Sequence, residues 1–340
     1  MRVAILGAAG MLGRKLADRL AAEGRLAGQP VERLVLHDIL AATPPAGGIP
    51  ADILVSDLAA PGAAARILAC RPEVIFHLAA VVSGEAEADF EKGYRVNLDG
   101  TRALLEAIRA IPAREGHVRK GHASEGYRPR LVFTSSLAVF GGPLPDVIPD
   151  DFVLRPQSSY GVQKAMGELL VADYSRRGFI DGISLRLPTI CVRPGLPNRA
   201  ASGFYSGILR EPLNGQPAVL PVPETMRHWF ASPRAAIGFL VRAAELDAAA
   251  LEGVRSLTLP GISATVADQI AALRRLAGDR AVALIERRPD PAIEAIVGTW
   301  PKAFDAARAR ALGFVPDAGI DAILTAYVED ERGGVLPAFG

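Results

Sequence analysis

Short apolar runs recur through the first 190 residues, separated by stretches with a different period. VAIL (Val3–Leu6), RLVLHD (Arg33–Asp38), ADILVSD (Ala51–Asp57), VIFHLAA (Val74–Ala80), RLVFTSS (Arg130–Ser136) and ISLRL (Ile183–Leu187) are rich in β-branched or large aliphatic side chains. Runs this short that are apolar at successive positions suit strands buried on both faces, as in a parallel sheet covered by helices. Between them, MLGRKLADRLAAEG (11–24) and NLDGTRALLEAIRAI (97–111) repeat apolar residues every three or four positions, the spacing of an amphipathic helix. The alternation predicts an α/β fold, a doubly wound parallel sheet with helices on both faces. Residues 112–129, PAREGHVRKGHASEGYRP, interrupt it and predict an exposed insertion before the fifth strand. Past residue 189 the alternation loosens. This predicts a first domain over 1–188 and a smaller α/β lobe over most of 189–340, with residues 226–250 a candidate to return to the first domain.

Composition narrows the function classes. The chain has 340 residues, half hydrophobic and 22% charged, with a formal net charge of +1. No global field draws it to nucleic acid or an anionic membrane, so any basic site is local. There are two cysteines, Cys70 and Cys191, and no CxxC, which fits a reducing compartment. The opening MRVAILGAAG enters a strand pattern directly and no long apolar span follows, so a cytoplasmic protein acting on small molecules is expected.

The first strand is followed by GAAGMLG, placing Gly7, Gly10 and Gly13 where the chain turns into a helix opened by Met11 and Leu12. A tight turn, close backbone approach and a helix N-terminus together suit a pyrophosphate. Asp38 ends the second strand, where a carboxylate can bond both ribose hydroxyls of an adenosine. It would repel a 2′-phosphate, and no arginine follows in HDILAAT, so NAD is expected over NADP. Asp57 and Leu58 read equally as neighbours of the adenine or as a solvated strand end and a core leucine.

SSYGVQKA then sets Tyr160 and Lys164 four residues apart at the start of a helical run, on one face. A nearby ammonium favours the phenolate, which makes tyrosine a usable general base near neutral pH. Ser136 stands at the end of the fifth strand, on the edge where open α/β sheets gather ligands. Of Ser135 and Ser136, one is expected only to cap the strand end.

GxxGxxG, Asp38, HLAA (His77–Ala80), Asn97, SSxxVFG and YxxxK occur in the order of the extended short-chain dehydrogenase/reductases, which include the sugar-nucleotide epimerases. The chain resembles that family over essentially its whole length, FDAARARALGFVPD (304–317) included. The resemblance implies a Rossmann-type NAD-binding domain, with Tyr160 as base, Lys164 on the nicotinamide ribose and Ser136 on the substrate oxygen. It further implies that Asn97 supports the site, Ala79 and Ala80 leave room for the cofactor, and Pro188 to Ile190 border the nicotinamide. Family members often form homodimers through the tyrosine-bearing helix and the long helix before it, and MGELLVADY offers apolar positions for either that contact or the core.

Two departures from the family bear on substrate. PTICVRPG carries Thr189 where sugar-nucleotide enzymes usually carry asparagine, and Ser136-Leu137-Ala138 lacks the acid and base of the dehydratases. Arg227, in RHWFASPRAA, matches the arginine that grips a nucleotide diphosphate, although its fork suits a carboxylate equally. RLPTICVRPG, NRAASGFYSGILREPL and PVPETMRHW resemble a branch that oxidises the C2 hydroxyl of a four-carbon sugar acid with NAD. Expected substrate ligands are therefore Ser136, Tyr160, Thr189, Arg193, Asn198, Ser202, Arg227 and His228. Arg193 also fits a rim ion pair, His228 an interior filler, and Asn198 and Ser202 helix caps. No metal is expected; His117 and His122 have no third ligand at useful spacing. The alternatives are an NDP-sugar 4-epimerase with tightly held NAD, and a non-catalytic NAD-sensing protein.

Overall fold

The computed structural model describes residues 1–112, 126–195 and 201–337. Residues 113–125 of the expected insertion, with His117 and His122, lie outside the described residues, as does Asn198. The chain falls into two compact units, one of Met1–Ser136, Ser158–Arg186 and Leu240–Leu257, the other of Leu137–Gln157, Leu187–Phe239 and Thr258–Gly340.

In the first unit, β1 (Arg2–Leu6), β2 (Arg33–Asp38), β3 (Ala51–Val55), β4 (Val74–His77), β5 (Arg130–Ser136) and β6 (Asp181–Leu187) form one sheet with the short strand Ser256–Thr258. Across the sheet the order is Ser256–Thr258, β6, β5, β4, β1, β2, β3. β1 pairs in parallel with both β2 and β4, β2 with β3, and β4 with β5. The order therefore reverses beside β1, which opens a crevice at the C-terminal ends of the strands. Val3 through Leu6 are all buried, as the unbroken apolar run requires.

Helix α1 (Met11–Glu23) buries Gly13, Leu16, Ala17, Leu20 and Ala21, a stripe at helical spacing. It stops at Gly24, whose φ of 64° is a left-handed cap that glycine adopts without strain. The helix expected over 97–111 begins instead with a π-helical turn, Tyr94–Asp99, before α2 (Gly100–Arg109). The wider turn carries Asn97 into the interior. Helix α3 (Ser159–Arg176) is capped by the Ser158 hydroxyl, which accepts from Gly161 N at 3.1 Å. Leu104, Leu105 and Ile108 of α2 and Val171 of α3 share a core with Leu6, Ile75, Leu131 and Phe133 of the sheet.

The expected boundary at 188, with its candidate return over 226–250, differs from this arrangement at two places. Residues 137–157 join the second unit because Ile148 N donates to Ala303 O at 3.0 Å, Asp305 N to Ile148 O at 2.9 Å, and Arg308 N to the Asp150 carboxylate at 3.0 Å. Residues 240–257 join the first because Arg130, on β5, donates to the carbonyls of Ala243 and Leu246, and because Ser256–Thr258 pairs beside β6.

The second unit has a three-stranded sheet: Arg227–Ala231 runs antiparallel to Ile262–Thr265 and parallel to Thr189–Ile190. Ala218–Leu220 pairs separately with Ile285–Arg287. Helices Gly203–Arg210, Val266–Val282 and Ile320–Arg332 close a core of Tyr205, Leu209, Phe230, Ile270, Leu273 and Leu324. The sequence TVAD starts the second of these helices with a reciprocal capping box between Thr265 and Asp268. Among the described residues no helix is long and apolar enough to cross a membrane.

Candidate active site

The glycine loop sits over the end of β2, with Gly7 N and Ala8 N donating to His37 O at 2.8 and 3.1 Å. Gly7 has a φ of 88°, and a Cβ there would lie 2.8 Å from Ala79 N. A Cβ on Gly13 would lie 2.2 Å from Gly7 O, so β1, the loop and α1 approach as closely as backbones allow. No side chain caps the start of α1 and its first turn carries no acid, which leaves its N–H groups to an anion. Asp38 follows as expected: Oδ2 accepts from Ala9 N at 2.9 Å and Oδ1 from Leu40 N at 3.3 Å, fixing the carboxylate beside the loop. Cradle, helix end and carboxylate together fit a dinucleotide of the NAD type.

Asp57 and Leu58 take different paths. Leu58 is buried in the core beneath Gly100. Asp57 is half-buried: burial pushes its carboxyl up, but an ion pair with Arg95 and a 2.9 Å bond from Ala59 N outweigh this and hold it below the usual range. Ala79 and Ala80, just past β4, are half-buried. Asn97 is buried, with its Oδ1 accepting from Val81 N at 2.7 Å and its amide donating to Val81 O at 3.1 Å and to Gln163 Oε1 at 2.8 Å. It thus ties the segment after β4 to α3.

Tyr160 and Lys164 lie in the first two turns of α3, and Ser136 ends β5. Tyr160 and Ser136 are partly exposed, whereas Lys164 is buried. Lys164 Nζ donates to Thr134 O at 2.8 Å and stands 4.8 Å from the Phe133 ring centroid and 5.6 Å from that of Tyr160. Burial lowers its pKa to about 7, against the Glu168 carboxylate, which raises it. The two serines separate: Ser135 is buried with its hydroxyl donating to Glu168, while Ser136 keeps the half-buried place at the strand end.

The remaining expected ligands belong to the second unit. Pro188 and Ile190 are buried and Thr189 is partly exposed. His228 is buried, stacked on Tyr205 with centroids 5.3 Å apart and the rings 7° from parallel. Its Nδ1 lies 3.0 Å from Pro301 O, a pure acceptor, so Nδ1 carries the proton. Nε2 is then bare and accepts from Thr189 Oγ1 at 2.7 Å. Burial holds the pKa down at about 4, so the ring is neutral and its two nitrogens are used within the unit. Arg193 donates through Nε to Ile190 O at 3.0 Å and through Nη2 to Ser202 Oγ at 3.2 Å. Ser202 stands at the cap position of Gly203–Arg210, yet its side chain makes no cap bond and instead receives Arg193. Arg227 is exposed, with Nη1 3.3 Å from Ser263 O.

Among the buried charges that the sequence did not single out, one pair lies next to Lys164 of α3. Glu168 and Arg186 form an ion pair at 2.7 Å. The signal was there: an arginine within the apolar run ISLRL must find a partner if the strand is buried.

A model of the NAD dependent epimerase/dehydratase family matches residues 3–230. A D-erythronate dehydrogenase of Cupriavidus necator is 55% identical over 256 residues, covering 75% of each chain. One from Haemophilus influenzae is 43% identical over 257 residues, 76% of this chain and 77% of the relative. A solved structure described as a nucleoside-diphosphate-sugar epimerase from Agrobacterium tumefaciens superposes with a TM-score of 0.94 at 55% identity, covering 99% of this chain and 96% of that one. With the glycine cradle, the Asp38 carboxylate and the Tyr160–Lys164 turn in place, this chain belongs to the NAD-dependent epimerase/dehydratase family, the extended short-chain dehydrogenase/reductases, and uses NAD.

Proposed function

We propose that the protein oxidises the C2 hydroxyl of a small sugar acid, D-erythronate, to 2-dehydro-D-erythronate. The observation that carries this reading is the 55% and 43% identity to two D-erythronate dehydrogenases over three quarters of the chain. The Ser136, Tyr160 and Lys164 set supports the redox class.

Gly7, Gly10, Met11, Leu12, Gly13 and Asp38 hold the adenosine diphosphate half of NAD, with Asp57 at its adenine end and Leu58 in the core beneath it. Ala79, Ala80, Asn97, Lys164, Pro188 and Ile190 serve the nicotinamide half. Bound NAD supplies the hydride acceptor. Tyr160 Oη takes the proton of the C2 hydroxyl as the C2–H bond breaks, and the Lys164 ammonium beside it favours the phenolate. Ser136 donates to the substrate oxygen as it becomes a carbonyl. The carboxylate falls to Arg193, with Thr189, Asn198, Ser202, Arg227 and His228 as the other groups assigned to the acid. His228 acts here through Thr189, whose hydroxyl it orients.

The direct test is incubation with NAD and a panel of aldonic acids. D-erythronate is expected to release free NADH; turnover of a UDP-sugar with no NADH from any acid would establish the epimerase instead. Within the same assay, Arg193→Ala is expected to raise KM for the acid about tenfold or more, the scale of a lost charge-assisted hydrogen bond, with KM for NAD little changed. Equal changes in both constants would remove Arg193 from the acid site. We further place the working protein in the cytoplasm as a homodimer, which the apolar surface of α3 supports: Met166 and Leu169 are 39% and 69% exposed. Sedimentation as a monomer at micromolar concentration would reject the dimer.

A further inference from the structure

Lys164 is one end of a buried polar chain that continues away from the cofactor side. One helical turn further along α3, on the same face, Glu168 is 2% exposed. Its carboxylate receives three bonds from Arg186 of β6: Nε to Oε1 at 3.0 Å, Nε to Oε2 at 3.1 Å and Nη2 to Oε2 at 2.7 Å. It also receives the Ser135 hydroxyl from β5. Ser135 immediately precedes Ser136, and Thr134, one residue earlier, supplies the carbonyl that Lys164 bonds. One carboxylate therefore ties the helix that presents Tyr160 and Lys164 to the strand end that presents Ser136 and the lysine's acceptor.

A buried ion pair is a poor source of stability, since well-packed apolar side chains of the same volume do as well or better. Its value here lies in charge and registry. We propose that Glu168, held by Arg186 and Ser135, is a positioning residue for the reaction: it supplies the negative field that favours the Lys164 ammonium and locks α3 in register with the end of β5. The proposal rests on the assignment of Lys164 and Tyr160 to the chemistry. The other titratable groups that face Lys164 are Tyr160, on its own helix, and His77 of β4, whose ring burial holds neutral with a pKa of about 3. Arg186 is the remaining charge, and it bonds both oxygens of the Glu168 carboxylate. Glu168 is thus the one anion among these groups close enough to oppose the cost of burying the ammonium.

The test has one arm that needs no turnover. In protein without nucleotide, labelled with 13C-lysine, the Cε resonance lost in Lys164→Met identifies Lys164, and its titration gives the midpoint. Glu168→Gln is expected to lower that midpoint by about one pH unit, a tenfold change in the charged fraction above it. In the enzyme, the acid limb of kcat/KM is expected to move to higher pH, because a less charged lysine favours the phenolate less, with KM for the acid little changed. Glu168→Gln leaves Arg186 unpaired, so the double variant Glu168→Gln, Arg186→Met is measured beside it; that variant buries no lone charge and is expected to keep a midpoint below that of wild type. A folded double variant with the wild-type midpoint and pH profile would overturn the proposal. If Tyr160→Phe kept full activity, the assignment beneath the proposal would fail instead, whatever the Glu168 variants did.

Discussion

Tyr160→Phe is expected to cut the rate of NADH formation from the sugar acid about a thousandfold, the range of a lost general base. NAD is expected to bind as tightly as before, because the glycine cradle and Asp38 are untouched. The substitution removes one oxygen from a partly exposed ring and leaves α3, its Ser158 cap and the buried Lys164 as they are. A thermal midpoint within a few degrees of wild type and an unchanged NAD titration would confirm that the loss is chemical. Retained turnover would mean that another group takes the proton, and the proposed mechanism would fall.

The second large effect runs in opposite directions for activity and stability. Lys164→Met is expected to abolish most activity and to stabilise the nucleotide-free protein. In the unfolded chain the ammonium keeps its proton up to a pH of about 10.4, whereas burial lets it go from about 7 in the fold. Between those values the unfolded chain binds more protons than the native one, so this group makes stability rise with pH across that window. Below pH 7 the folded protein carries the full cost of a buried charge, on the order of 4 to 5 kcal/mol. Methionine has similar reach and no charge. The variant is therefore expected to melt higher at neutral pH and to lose the rise of Tm between pH 7 and 10. Parallel Tm profiles for wild type and variant would show that Lys164 is not buried at this cost.

Much of the first unit was legible because its strands are buried on both faces and so need no long-range information to be recognised. RLVLHD and RLVFTSS became β2 and β5 at their expected limits, while the polar ends of ADILVSD and the alanines of VIFHLAA fell outside the strands. The Gly7–Gly13 turn, Asp38 and the Tyr160–Lys164 spacing were equally readable, since each is a local device. What was not legible depends on partners far away in the chain. The inward face of α3 consists of Gly161, Gln163, Lys164, Gly167, Glu168, Val171 and Ser175, with almost no apolar stripe to mark it. Nothing local distinguishes a buried Glu168 from a solvated one; only Arg186, eighteen residues on, makes it possible. The path of 137–157 into the second unit rests on the pairing of Ile148 with Phe304, which no periodicity announces. Ser202 looked like a helix cap by type and place, but Arg193 competes for its oxygen and wins.

The three-residue strand Ser256–Thr258 has a consequence for how the chain is made. It covers the outer edge of β6, where Ser184 N donates to Arg255 O at 2.7 Å and Arg255 pairs with Asp181. During synthesis, the six long strands leave the ribosome well before this cover does. Until it arrives, β6 presents a row of unpaired amide and carbonyl groups on an apolar strand, a template for any other extended chain. Nascent chains that stall short of residue 256 therefore carry an adhesive margin, and the yield of native protein turns on prompt delivery of a segment too short to attract notice on its own.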